Sequence, residues 1–175
     1  MSEPASDRKS NNAKRVRRWL IEGLLFLLLL YLIHLWQTRE AVHGSAPALD
    51  AQLLTGDPYS LEQQAGRRPT LVYFWATWCP VCGLTTGNVS ELAKDHHVIT
   101  VAMQSGETEA VRQHLRKNAL QFPVIPDPEG ELAKRWGVRG VPTFYVLDAQ
   151  NRIRFVSVGY TSKLGLLTRL WLADE

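Results

Sequence analysis

Residues 70–82 read T-L-V-Y-F-W-A-T-W-C-P-V-C, and their reading decides the fold. Thr70 to Ala76 is a nearly unbroken run of β-branched, aromatic and apolar residues, the composition of a strand buried on both faces of a sheet. It leads directly into Cys79-Pro80-Val81-Cys82, where the chain is expected to turn into a helix. Proline favours the first helical position, so Pro80 puts Cys79 at the helix N-terminus. The unpaired N–H groups and partial positive charge of a helix start favour thiolate over thiol and lower a cysteine pKa from its usual value of about 8.5. Cys82, three residues on, shares a helical face with Cys79. An activated, exposed thiolate with a partner one turn away is a dithiol/disulfide exchange centre. The chain has only two cysteines, both in this motif, so none remains for a structural staple.

With 175 residues there is room for one ordinary domain and an appendage. The excess positive charge is confined to one end. Residues 1–44 hold seven Lys/Arg and four Asp/Glu, whereas residues 45–175 hold thirteen of each. The body therefore has no electrostatic case for nucleic acid. Met1 to Arg18 carries six basic residues and reads as a cytoplasmic tail, disordered or lying on a membrane surface. Trp19 to Trp36 is apolar, flanked by tryptophans and interrupted only by Glu22 and His34 near its ends. As a helix it would run about 27 Å at ~1.5 Å per residue, close to a hydrocarbon core of about 30 Å. The basic cluster before it places the N-terminus in the cytoplasm. A cleaved signal peptide, processed near Val42-His43-Gly44, is the competing reading; the length of the span and the missing A-x-A favour a retained anchor.

Residues 37–48 lack periodicity and read as a linker, with the domain proper over 49–175. Leu49 to Ala65 opens it with a short strand or hairpin. After Cys82 the active-site helix is expected to continue to about Lys94. Val98–Met103 is a second strand, Glu107–Asn118 a helix with Val111 and Leu115 four apart, and Phe122–Ile125 a short extended piece broken by Pro126-Asp127-Pro128. Glu131–Trp136 is a short helix ended by Gly137. Val141–Leu147 and Ile153–Val158 pair across a turn at 148–151. Ser162–Ala173 closes the chain as a helix with Leu164, Leu167, Leu170 and Trp171 on one face. This order implies an α/β mixed sheet with helices on both faces.

Three stretches together, Phe74–Cys82 (F-W-A-T-W-C-P-V-C), Phe122–Gly130 (F-P-V-I-P-D-P-E-G) and Trp136–Asp148 (W-G-V-R-G-V-P-T-F-Y-V-L-D), resemble the thioredoxin superfamily over roughly residues 47–172. Within it the chain resembles the membrane-anchored TlpA-like thiol-disulfide proteins, and with its single anchor and CPVC motif looks most like the copper-sensitivity-suppressor D type of bacterial inner-membrane protein. The resemblance implies a thioredoxin-like fold preceded by one transmembrane helix, with the domain in the periplasm. It also implies a cis Val141–Pro142 peptide facing the cysteines, and X–Pro bonds alone take cis at low cost; otherwise Pro142 simply starts an edge strand. Substrate contact falls to Trp78, Pro80, Val81, Val141 and Pro142, while Trp75 reads as core. Two departures stand out. Many relatives carry a buried carboxylate where this chain has Tyr73, and TlpA-like reductases often place Glu where it has Thr85. A buried acid can relay protons to a resolving thiol; its absence leaves proton transfer to Cys82 to water.

The expected chemistry is exchange between the Cys79–Cys82 dithiol or disulfide and protein thiols or disulfides, in the reducing direction, with a membrane thiol-electron transporter as partner and no cofactor. The rival from another class is a Cu(I) carrier using the same two thiolates. Structural zinc would need two further ligands, for which His96-His97 is the nearest source. Covalent haem requires C-x-x-C-H, and residue 83 is Gly.

Overall fold

The computed structural model of the chain describes residues 17–29, 32, 44–66 and 68–174, in two compact units, Met1–Arg39 and Glu40–Glu175. In the first, residues 17–29 form a helix, α1, with Arg18 bonded to Glu22 one turn on at 2.8 Å. The expected span Trp19–Trp36 continues into positions 30, 31 and 33–36, which lie outside the described residues, as do tail residues 1–16 and linker residues 37–43. Among the described residues no helix is long and apolar enough to cross a membrane.

In the second unit the central strand is β4 (Thr70–Trp75), with all six side chains buried. It pairs in parallel with β5 (His97–Met103) and antiparallel with β7 (Thr143–Leu147). Beyond β5 lies β6 (Val124–Asp127); beyond β7 lie β8 (Arg152–Val158) and β1 (Gly44–Ser45), giving the order β1-β8-β7-β4-β5-β6. A separate hairpin joins β2 (Asp50–Gln52) to β3 (Pro58–Ser60). This is the thioredoxin-like mixed sheet.

The pleat of β4 divides the core in two, because successive side chains point to opposite faces. Leu71, Tyr73 and Trp75 pack with residues of α2 (Pro80–Gly83), α3 (Thr86–Leu92), α4 (Thr108–Lys117) and α6 (Lys163–Ala173). Val72 and Phe74 pack with α5 (Glu131–Arg135), Trp136 and the β2–β3 hairpin. Each fully buried large apolar side chain stabilises the fold by roughly 1.5–3 kcal/mol relative to exposure, so a strand buried on both faces anchors both halves of the domain.

Four details differ from expectation. The active-site helix is not continuous to Lys94: α2 ends after four residues and α3 starts at Thr86. At the break the Thr85 hydroxyl donates to the Cys82 carbonyl at 3.0 Å, a side-chain bond that competes with the helical ladder. Gly44 and Ser45, read as linker, pair with Ile153 and Arg152 as an edge strand; the pairing is made by backbone and leaves no apolar pattern in the sequence. Pro126 and Asp127, read as a strand break, stay in β6 opposite Ala102 and Met103, since an edge strand has no outer partner to need the missing N–H. Finally, α6 turns Leu166, Leu170 and Ala173 inward while Leu164 and Trp171 are 73% and 64% exposed. With leucines around most of its circumference, that helix has no single stripe to read, and the sheet selects the i, i+4, i+7 set.

Candidate functional site: a dithiol/disulfide centre

At the C-terminal end of β4 the chain leaves the sheet and is held before it enters α2. The Thr77 N–H donates to Ser105 Oγ at 3.0 Å, and the Trp78 indole N–H to the Gln104 carbonyl at 2.9 Å. These two bonds fix the approach of Cys79 from the neighbouring β5–α4 connection. Cys79 is extended (φ −90°, ψ 110°) at the N-cap of α2, with Pro80 at the first helical position. Its sulfur accepts the Cys82 N–H at 3.1 Å. The helix has only four residues, so stabilisation of a Cys79 thiolate rests on that N–H and its neighbours more than on a long helix dipole.

Cys79 and Cys82 are joined by a disulfide, Cα atoms 5.3 Å apart. Their burial is unequal: Cys79 is 8% exposed and Cys82 1%, so an incoming sulfur meets Cys79 first. The Val141–Pro142 peptide is cis, as the resemblance implies. The Val141 carbonyl oxygen lies 3.5 Å from Cys79 Sγ, a contact in the disulfide and an acceptor for the thiol once reduced. The Pro142 carbonyl is occupied, accepting the Gly159 N–H at 2.8 Å. Trp78 and Val81 are 57% and 40% exposed, Pro80 is exposed, Val141 is half-buried and Pro142 is buried. Trp78 and Pro80 line one groove with both cysteines, and Val141 meets Cys79 through its carbonyl. His96 and His97 do not join them: His97 pairs with Thr70 in the sheet register, at the far end of β4 from the cysteines, its Nδ1 2.8 Å from Thr70 Oγ1. Among the described residues no group of three or more His, Cys, Asp or Glu is placed to hold a metal.

The two departures from the superfamily pattern prove to be partners. The Tyr73 and Thr85 hydroxyls lie 3.1 Å apart, both buried, beneath the active-site helix. Burial pushes the Tyr73 phenol up, beyond the ordinary tyrosine range, and the bond to Thr85 offsets this only in part. A neutral hydroxyl pair thus fills the place where an acid is expected in relatives.

One residue of the site was not singled out from the sequence. A groove of about 270 Å³ beside the cysteines is lined by Trp75, Trp78, Cys79, Cys82, Thr86 and His114, among others. His114 comes from α4 and its ring lies 5.5 Å from that of Trp75. Burial lowers its pKa below the ordinary histidine value, and the charge of Lys117 adds to this. The available signal was its helical spacing: His114 follows Val111 by three positions, on the edge of the inward face.

The protein-family model described as Redoxin matches residues 41–166. The chain is 35% identical over 164 residues to a thioredoxin-like protein of Haemophilus influenzae, covering 91% of this chain and 98% of that one. It is 30% identical to the thiol-disulfide oxidoreductase ResA of Bacillus thuringiensis, over 67% of this chain and 69% of that one. Among solved structures it is similar to the pneumococcal exposed lipoprotein thioredoxin of Streptococcus pneumoniae, with a TM-score of 0.61 at 26% identity, covering 72% of this chain and 99% of that one.

Proposed function

The chain belongs to the redoxin family of the thioredoxin superfamily and is a thiol-disulfide oxidoreductase, and on that premise we propose that it works as a membrane-anchored, periplasmic protein-disulfide reductase. The observation that carries the mechanism is the unequal burial of the two sulfurs at one helix start, Cys79 at 8% and Cys82 at 1% exposure. In the reduced protein the Cys79 thiolate attacks a substrate disulfide and expels one substrate thiolate, forming a mixed disulfide. The Cys82 thiolate then attacks Cys79 Sγ; the second substrate sulfur leaves, and the Cys79–Cys82 disulfide forms. Two electrons have passed to the substrate. Substrate main chain lies against the Val141 carbonyl next to Pro142, with Trp78, Pro80 and Val81 as the apolar rim.

What supports the reducing direction is how little stabilises the thiolate. Strong oxidants owe their potential to a stabilised reduced form. Here residues 69–90 contain no Asp, Glu, Lys, Arg or His, and the helix is short. Net reduction outside the cytoplasm then draws electrons from a membrane thiol transporter, delivered to a domain tethered by the Trp19–Trp36 span.

In full-length protein in detergent, Cys79→Ala should abolish insulin reduction, and Cys82→Ala should accumulate mixed disulfides on Cys79. Retained turnover by Cys79→Ala would overturn the mechanism. Equilibration with glutathione buffers tests the direction: a potential near that of thioredoxin, about −270 mV, is expected, and one near that of the oxidant DsbA, about −120 mV, would reverse it.

A further inference from the structure

The buried thiol of Cys82 must lose a proton before it can resolve a mixed disulfide, and its surroundings are nearly empty of groups that could take it. Residues 69–90, which supply β4, the turn, α2 and most of α3, carry no charged or histidine side chain. Tyr73 is held neutral by burial, and its hydroxyl is engaged by Thr85. Thr85 in turn donates to the Cys82 carbonyl. This pair clamps the helix but offers no base.

Among the described residues, one titratable side chain besides the cysteines lines the groove, and it arrives from a different element. His114 of α4 lines that groove together with Cys79 and Cys82, its ring placed by the face of Trp75 at 5.5 Å. Trp75 is itself fixed, its indole N–H donating to Thr100 Oγ1 at 3.2 Å and its ring packed edge-on against Phe122. The residues facing the imidazole from β4, α2 and α3 are neutral, the cysteines apart. The charge that bears on it is that of Lys117 on its own helix; Glu109, earlier on α4, is bound to Arg116 and Arg112. The groove, about 270 Å³ in volume, is large enough to admit water.

We propose that His114 is the base that serves the resolving cysteine, drawing the proton from Cys82 through water in this groove. The inference rests on the dithiol-exchange reading above. With substrate bound as a mixed disulfide on Cys79, the Cys82 S–H proton passes to a ring nitrogen of His114. The Cys82 thiolate attacks Cys79 Sγ, the Cys79–Cys82 bond forms and the bond from Cys79 to substrate breaks. The departing thiolate takes a proton back from the imidazolium. Protons balance, two electrons leave with the substrate, and the imidazole ends neutral. In the opposite direction the same group protonates Cys82 as it is released. Because its pKa lies below the ordinary histidine value, the imidazole is neutral at pH 7; the base is lost only as the pH falls through that lowered value.

The two chemical steps separate in a stopped-flow reaction of the reduced full-length protein with the chromogenic disulfide 5,5′-dithiobis(2-nitrobenzoate). One thionitrobenzoate is released when Cys79 attacks, at a rate set by reagent concentration, and a second when Cys82 resolves, at a rate independent of it. His114→Gln should leave the first phase intact, which also reports correct folding. It should slow the second phase at pH 7 on the order of tenfold to a hundredfold and remove the inflection in its pH profile below the ordinary histidine range. In His114→Ala, added imidazole should restore the second phase. An unchanged second-phase rate and profile in His114→Gln, or a slowed His114→Ala that imidazole does not restore, would overturn the role of His114 and leave the exchange mechanism standing. A wild-type protein releasing no thionitrobenzoate would overturn the exchange reading itself.

Discussion

On one face of β4, Leu71, Tyr73 and Trp75 pack in the cluster that holds the cysteines; on the other, Val72 and Phe74 pack with Trp136 and Tyr145. Both faces are rich in aromatic rings, yet they are secured differently. Beneath the cysteines Tyr73 and Trp75 each have a polar tie to a threonine hydroxyl that is itself tied to the backbone. Tyr73 meets Thr85, which donates to the Cys82 carbonyl; Trp75 donates to Thr100, which donates to the Pro123 carbonyl. On the opposite face Phe74, Trp136 and Tyr145 form a triangle with ring centroids 5.0–5.8 Å apart, and the buried Trp136 indole N–H has no hydrogen-bond partner among the described residues. The cysteine face is thus held by neutral hydroxyls that fix geometry without placing a charge beside the sulfurs. The other face is held mainly by ring packing, with one buried bond from the Tyr145 hydroxyl to the Trp136 carbonyl.

The sharpest way to break this division is to exchange the outcomes. Cys79→Ala should remove all exchange activity while leaving the thermal midpoint of the reduced protein within a degree or two, because the side chain is small and sits at the edge of the core. Trp136→Ala should do the reverse. Truncating a fully buried tryptophan costs on the order of 3–5 kcal/mol, but at low temperature the surviving folded fraction should reduce insulin at the wild-type rate. A Trp136→Ala protein that stays stable, or that folds and loses exchange, would mean the two faces are not separable. A smaller effect is expected at the β7–β8 turn, where the buried Asp148 carboxylate accepts the backbone N–H groups of Gln150 and Arg152 and the Arg152 guanidinium. Burial alone would raise its pKa, but these bonds outweigh that and lower it. Its stabilisation is therefore present above the ordinary aspartate value and is lost as the pH falls through the lowered one. Asp148→Ala should cost about 2 kcal/mol at pH 7, with the difference from wild type shrinking in acid unfolding, and with exchange unaffected.

Much of the cysteine face was legible because its signals are local. A continuous β-branched and aromatic run, a cysteine before proline and a second cysteine one turn on specify strand, helix start and dithiol from neighbouring residues. Val141-Pro142 added the opposing wall through resemblance. What the sequence hid is non-local. The break between α2 and α3 comes from the Thr85 side chain bonding back to Cys82. Gly44–Ser45 joins the sheet through backbone pairing that no hydrophobic pattern marks. His114 is separated from Cys82 by α3, β5 and the connection to α4, and packing against Trp75 brings it to the groove. The stripe of α6 was misread because leucine is abundant on several of its sides, so burial was decided by the sheet.

The finest test of the comparison uses one chemical change on each face. Tyr145 and Tyr73 are both fully buried in β7 and β4, and each hydroxyl has one partner. The Tyr145 hydroxyl donates to the Trp136 carbonyl; loss of that donor leaves a buried backbone acceptor unpaired, at a cost of about 1–3 kcal/mol. The Tyr73 hydroxyl pairs with Thr85 Oγ1, which keeps its bond to the Cys82 carbonyl when the phenol is gone, so Tyr73→Phe should cost only about 1 kcal/mol or less. The informative readout is the reduction potential as a function of pH. An acid beneath the cysteines would exchange protons with Cys82 and bend that curve. Because burial keeps the Tyr73 phenol protonated well above neutrality, the curves of wild type and Tyr73→Phe should superimpose between pH 6 and 8, as should that of Tyr145→Phe. A change of slope in Tyr73→Phe alone would make the phenol a proton partner of the dithiol, and the clamp beneath the cysteines would then be chemical as well as structural.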